Sequence, residues 1–324
     1  MANRPKTTRR TKSRDLVAGV DVGGTKVAVV VCDTDTGDEL ARDSFSTPAD
    51  ATPEALLDRV SESIEALVAQ TGQSMKRLRA LGVAVPGQVD HEEGLVIVAG
   101  NLTGWKDVPL RGILTRRFDA PIWIEQDANA AALGERWRGS ARNMHNFVFL
   151  ALGTGIGAGV MINGRLHRGY NNAAGEVGNF VMGRQHLGKE RRGHGSLELL
   201  VGGPAIRKEA RKVVRKKLTA AEAIELADED RRLKPVADRV ADYLAIAVIN
   251  IAALLDPQAI IFGGGTASAG TDLIDRVRSR VERELRVVPA LMHSVLGEDA
   301  QLHGAVFGAL WELDPALALR EELR

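Results

Sequence analysis

Two stretches of this chain place glycines where two β-branched runs meet. Residues 16–31 read LVAGVDVGGTKVAVVV, and residues 147–162 read FVFLALGTGIGAGVMI. Runs of Val, Ile and Phe favour extended backbone, so each stretch predicts two strands joined by a glycine turn. In the first these are Leu16–Val20 and Val27–Val31. That requirement excludes two familiar phosphate loops. Gly19 and Gly24 have Walker A spacing, but Thr25 and Lys26 stand in the wrong order, and VAVVV follows where that loop must open a helix. Gly153, Gly155 and Ala158 fit the relaxed dinucleotide pattern G-x-G-x-x-A. Yet Gly159-Val160-Met161-Ile162 continues as strand towards an Asn163-Gly164 hairpin.

What remains is a pair of glycine hairpins, each between strands expected to be antiparallel. Successive backbone N–H groups in such a turn can converge on an anion without a helix. Taken alone, either loop reads better as a structural turn. Each carries a threonine, however (Thr25 and Thr154), and a third glycine cluster stands at 263–265. A nucleotide phosphate chain held between two lobes accounts for all three. The recurrence of strand, glycines and strand also suggests two similar halves.

The rest of the chain supplies the covering elements. Glu39 to Phe45 predicts a third strand, and Pro53 to Ala69 a helix with Leu56, Leu57, Val60, Ile64, Leu67 and Val68 on one face. LRALGVAVPG is a buried strand ending at Pro86-Gly87. PIWIEQDANAAALGERW is a strand that turns into an alanine-rich helix at Asp127. Residues 204–255 are mostly helical, with a basic run, RKEARKVVRKKL, read as a solvated helix face. AIIFGGGTA is another strand, a helix follows near Leu273, and GAVFGALWEL closes the chain as an apolar helix.

Composition narrows the class of function. The 324 residues suffice for two domains, and the 44% hydrophobic and 26% charged content is that of a globular protein. A formal net charge of +1 gives no global field for nucleic acid. Cys32 is the only cysteine, which excludes an internal disulfide framework and any multi-cysteine zinc or iron–sulfur site. No apolar run approaches the ~20 residues of a membrane span, and no signal-peptide pattern follows the basic start. Residues 1–14 are read as a disordered basic tail, and a cytoplasmic location is expected.

In order, the motifs D-V-G-G-T-K (21–26), P-G (86–87), N-L-T-G-W (101–105), E-Q-D-A-N-A-A-A-L-G-E (125–135), L-G-T-G-I-G-A-G (152–159), A-G-E-V-G (174–178) and G-G-G (263–265) resemble the ROK family of sugar kinases and repressors over about residues 16–315. The resemblance implies an actin-like ATPase (ribonuclease H-like) α/β fold with two lobes around a cleft. The smaller lobe would be 15–124 plus 300–324, and the larger 125–299. It implies transfer of the γ-phosphoryl group of ATP to a hexose hydroxyl, with glucose at its 6-hydroxyl as the best single expectation. Kinases for fructose, mannose or an N-acetylhexosamine are alternatives, as is a sugar sensor without catalysis. Polyphosphate stands beside ATP as a possible donor. The family also holds repressors with a helix-turn-helix region, and the roughly 15 residues before the first strand look too few for one. No nucleic-acid or membrane partner is expected, and a homodimer is implied.

Carried over residue by residue, Asp127 is the implied general base. Asp21 would orient hydrated Mg²⁺. Gly23, Gly24, Thr25 and Lys26 would meet the terminal phosphates, with Gly153, Thr154 and Gly155 facing the phosphate chain from the other lobe. Gly264 and Gly265 would let the nucleotide approach the backbone. Asn101, Glu176, Asn179 and Glu198 would hold the sugar with Asp127. The bland reading of Asp127 is a helix N-cap; that of Glu198 is a solvent-facing glutamate.

One departure is plain. The family pattern continues A-G-E-x with G-H and then a C-x-C-G-x-x-G-C-x-E zinc motif. Here Asn179 takes the histidine position, while Lys189, Arg191 and Ser196 take the three cysteine positions. No zinc is therefore expected, and packing or hydrogen bonds must hold the loop. Gln126, in place of the usual asparagine, lengthens an amide near the sugar.

Overall fold

A computed structural model describes residues 14–188, 194–267 and 271–316. The expected basic tail lies outside the described residues apart from Arg14. The chain opens with β1 (Leu16–Val22), β2 (Lys26–Asp33) and β3 (Glu39–Ser46), then α1 (Pro53–Gln70) and β4 (Leu78–Val85). Next come β5 (Gln88–Asp90), β6 (Leu95–Val98), β7 (Lys106–Val108) and the short α2 (Leu110–Leu114). β8 (Ile122–Gln126) passes without a break into α3 (Asp127–Arg138).

The second half begins with β9 (Phe147–Leu152), β10 (Ile156–Ile162) and β11 (Arg165–Leu166). Four helices follow: α4 (Ser196–Val201), α5 (Gly203–Val214), α6 (Ala220–Glu225) and α7 (Lys234–Leu255). The chain then runs through β12 (Ala259–Gly263), α8 (Thr271–Glu284), β13 (Ala290–His293) and α9 (Ala300–Leu313).

Local chemistry explains where the elements start. α1 begins where Thr52 accepts the Ala55 N–H and Pro53 needs no amide partner. Its apolar residues recur at three and four positions and are buried. Both glycine stretches are antiparallel hairpins, β1 with β2 and β9 with β10.

The suggestion of two halves holds in the topology. One sheet has the order β3-β2-β1-β4-β8 and the other β11-β10-β9-β12-β13. In each, the first three strands in sequence are antiparallel, the fourth joins the hairpin's first strand in parallel, and the fifth pairs in parallel with the fourth. The two glycine hairpins thus occupy equivalent places in the two sheets.

Three apolar cores stack across the molecule. One joins the first sheet to α1, α2 and the small β5-β6-β7 sheet. Another joins the second sheet to α4–α8. Between the sheets lies a third, built from α3, α9 and one face of each sheet. There the two helices touch backbone to backbone: a Cβ on Gly304 would lie 1.7 Å from the Ala130 carbonyl oxygen, and one on Gly134 2.2 Å from that of Ala300. Two like sheets with a helix pair between them form the actin-like ATPase fold expected from the motifs. No described helix is long and apolar enough to cross a membrane.

Candidate active site

The polar residues of interest lie where strands end. Asp21 is the penultimate residue of β1, just before the first glycines. Burial pushes its carboxyl up from 3.8 to about 7, the negative charges of Asp127 and Asp299 push the same way, and Lys26 opposes them. Asp127 opens α3, and its Oδ1 accepts the Ala128 N–H at 2.7 Å. Burial raises Asp127 to about 6; the Ala128 hydrogen bond opposes this, and the charge of Glu176 adds to it. The capping alternative for Asp127 fails, because Gln126 does that work: its Oε1 accepts the Asn129 N–H at 2.9 Å. Gln126 is therefore tied to the helix start, an occupation its sequence position did not announce.

The acids continue into the second half. Glu176 is raised by burial and then by the charge of Glu198. Glu198 accepts the Ile156 N–H at 3.1 Å through Oε2 and lies 2.6 Å from His194 Nδ1 through Oε1. It is not the solvent-facing glutamate of the bland reading. A Cβ on Gly155 would sit 2.7 Å from Glu198 Oε2, so a side chain there would displace that carboxylate. Asp21, Asp127, Glu176 and Glu198 form a row in which each charge acts on the next. Asn179 is exposed at the end of a short turn whose N–H bonds to Glu176 O at 3.0 Å.

The first hairpin closes through Gly23 N–H to Lys26 O at 2.9 Å. Thr47 buttresses it, donating N–H to Thr25 O at 3.0 Å and Oγ1–H to Gly23 O at 2.6 Å. Gly24, Thr25 and Lys26 are exposed at the tip. Asn101 stands behind this tip, and a Cβ on Gly24 would come 2.7 Å from its carbonyl oxygen.

The second hairpin borders a cleft of ≈ 460 Å³ lined by Gly153, Thr154, Gly203, Arg207, Thr219, Ala220, Ala221, Gly265, Thr266 and Glu298. The third glycine cluster does reach it. Gly264 has φ +86°, where a side chain is strained, and packs on the Leu152 carbonyl, to which Thr266 N–H donates at 2.9 Å. Arg207, Thr219, Thr266 and Glu298 are cleft residues that the sequence reading missed. Arg207 had a signal, since it belongs to the basic run; the structure turns this member of that run towards the cleft.

Of the four positions where a zinc motif would place ligands, Lys189 and Arg191 lie outside the described residues. Ser196 is buried, and its Oγ accepts the Met182 N–H at 3.4 Å. Met182 packs into the second-sheet core, and Gly195 lies against the Gly178 backbone. At Ser196 the described backbone is held by packing and this hydrogen bond. Among the described residues, no group of three or more His, Cys, Asp or Glu could hold a metal ion. A cation that keeps most of its water needs no such cluster, and the Asp21 carboxyl, raised by burial and by the charges of Asp127 and Asp299, is one oxygen donor of the kind Mg²⁺ takes beside substrate phosphates.

The ROK family model matches residues 17–313. The chain is 32% identical to a glucokinase of Thermotoga maritima over 308 residues, covering 89% of this chain and 95% of the relative. It is 28% identical to a xylose repressor of Caldicellulosiruptor bescii, covering 82% of this chain and 70% of the relative. The solved structure of a ROK family glucokinase from Streptomyces griseus, in complex with glucose and AMPPNP, matches 91% of this chain and 99% of its own at TM-score 0.75 and 28% identity.

Proposed function

The chain belongs to the ROK family and is a sugar kinase, and from that premise we propose that it transfers the γ-phosphoryl group of Mg·ATP to the 6-hydroxyl of glucose. The observation that carries this reading is the carboxyl of Asp127. It stands at a strand–helix junction with its capping duty taken by Gln126, raised to about 6, and electrostatically coupled to Asp21 on one side and Glu176 on the other. A base needs a proton affinity near the working pH, and burial supplies it.

In this reading Asp127 orients the attacking hydroxyl and takes its proton late in transfer. Glu176 and Glu198 accept sugar hydroxyls, with Asn101 and Asn179 as amide partners. The two hairpins, through Gly23, Gly24, Thr25 and Lys26 and through Gly153, Thr154 and Gly155, present backbone N–H groups to the phosphate chain. Gly264 and Gly265 leave room for the nucleotide. Asp21 would hold Mg²⁺ through water, and the bound ion would supply neutralisation of the phosphate charge. The lobes proposed are 15–124 with 300–324, and 125–299. The same reading takes the protein to be a cytoplasmic homodimer that needs no zinc.

The test is ADP production from Mg·ATP with glucose, mannose, fructose, N-acetylglucosamine and N-acetylmannosamine, with Asp127→Asn as control. Turnover on glucose, abolished in Asp127→Asn while calorimetric sugar binding survives, is expected. Preference for another sugar of the panel would move the substrate. Near-normal kcat in Asp127→Asn would remove the base.

A further inference from the structure

Two residues before Asp127 lies a carboxylate that this chemistry does not use. Glu125, at the end of β8, is 1% exposed. Its Oε1 accepts the backbone N–H of Gln126 and Nδ2–H of Asn129, both at 3.0 Å, which fastens the turn from β8 into α3. Its Oε2 accepts Arg168 Nε–H at 2.7 Å.

Arg168 comes from the other half of the molecule. It follows β11, at the head of the segment 167–176 that ends in Glu176. This segment is pinned at both ends to β10, by His167 N–H to Val160 O and by Ala158 N–H to Gly175 O, each at 2.8 Å. Across its middle Ala174 N–H bonds to Arg168 O at 3.0 Å. The first half grips it a second time, through Gln88 Nε2–H to Asn171 O at 2.7 Å. His91 lies 3.7 Å from Glu125 Oε2, but its Nδ1 is at 2.7 Å from Ile124 O, so a strand carbonyl sets its ring.

Asp127 thus follows a strand of the first sheet and Glu176 a segment leaving the second, yet one ion pair joins the backbone beside the first to the segment that carries the second. We propose that Arg168 and Glu125 are positioning residues whose pair holds the segment 167–176 against the Asp127 turn and so fixes the spacing of the Glu176 carboxylate from the base. A charge-assisted bond of 2.7 Å is directional, whereas apolar packing would let the segment slide. A buried ion pair adds little net stability, so geometry rather than stability is its contribution here. The inference rests on the sugar-kinase reading for the role of Glu176; the clamp itself does not.

The experiment compares the parent with Arg168→Ala, Arg168→Lys, Glu125→Gln and the double variant Glu125→Gln/Arg168→Ala. Steady-state kinetics are read with Mg·ATP and the sugar that the parent turns over best, and amide hydrogen exchange is followed in the absence of ligands. Arg168→Ala should raise the sugar KM about tenfold or more and leave the ATP KM within about twofold. Arg168→Lys should recover part of the loss, and the double variant should be little worse than the poorer single variant. Exchange at Ala158 and Ala174 should accelerate about tenfold or more in Arg168→Ala, with the β1 and β9 amides unchanged.

A sugar KM within about twofold of the parent, fully additive losses, or equal rises in both KM values would overturn the proposal. If Arg168→Ala does not fold, Arg168→Lys and Glu125→Gln decide on the same criteria. A parent inactive on every sugar would defeat the functional reading alone. Exchange would then decide the clamp, and unaltered exchange in Arg168→Ala would overturn it.

Discussion

Asp21→Asn should leave the ligand-free protein more stable above neutrality while nearly abolishing its activity. The Asp21 carboxyl is raised from 3.8 to about 7 by burial and by the charges of Asp127 and Asp299. A proton therefore binds the folded state more tightly than the unfolded one. The sign follows: this contribution to stability is fully present below about pH 4 and is lost as pH rises through about 7. One pH unit of difference corresponds to about 1.4 kcal/mol, so the ceiling is ~4 kcal/mol. Because Asp21 keeps some contact with solvent, a gain of ~1–2 kcal/mol is the reasonable expectation.

Asparagine keeps the shape and removes the charge. The melting temperature at pH 8 should rise by roughly 2–3 °C, and that at pH 3, below the ordinary carboxyl range, should hardly move. Scanning fluorimetry of parent and variant at both pH values, without divalent cations, makes the comparison. Adding Mg·ATP should then stabilise the parent more than the variant, while kcat/KM of the variant falls about a hundredfold or more. No rise at pH 8, or an equal rise at pH 3, would refute the claim that burial and neighbouring charge hold the Asp21 carboxyl up.

Three further outcomes test neighbouring steps. Gly24→Val should raise the ATP KM about tenfold or more without unfolding the protein, because a side chain at the exposed hairpin tip obstructs the approach of phosphate, and its contact with the Asn101 carbonyl should raise the sugar KM as well; unchanged kinetics would remove the first hairpin from the donor site. Gly304→Ala should cost about 2–3 kcal/mol, since its Cβ would meet the Ala130 carbonyl between α3 and α9. An unchanged melting temperature would show that the helices do not touch. Finally, kcat/KM should fall as pH drops through about 7 and then about 6, as Asp21 and Asp127 take protons. A profile flat down to pH 5 would exclude both as essential carboxylates.

Most of the scaffold was legible because its signals are local. β-branched runs around glycines gave both hairpins, and the apolar spacing in residues 53–69 gave α1. The strands β5, β6, β7 and β13 were not legible, being three or four residues long and stabilised by the partners they meet. In the site, Asp21, Asp127, Glu176 and the glycines were marked by motif. Arg207 was hidden because cations in a helical run look alike until the fold turns one towards a cleft. Glu125 was inside a quoted motif, yet nothing local foretold that its partner would be Arg168, 43 residues on. Gln126 shows the reverse: its type was read as a change near the sugar, while its side chain caps a helix.

In the proposed reading, the row of acids lets the site treat its two substrates differently. Asp127 and Glu176 are raised by burial and by the charge of the next acid in the row, so in that reading the sugar side repels anions and favours groups that donate hydrogen bonds. A neutral hexose offers hydroxyl donors and suits that surface. In the same reading the glycine hairpins bring backbone N–H groups to the donor, with Lys26 at the first hairpin tip and Arg207 in the cleft beside the second. Once a phosphoryl group has crossed to the sugar, the product carries negative charge into the acidic side, where electrostatics oppose its staying. The carboxylates that make the ligand-free fold less stable at neutral pH thereby separate acceptor from product by charge, with no need for a pocket that recognises the difference by shape.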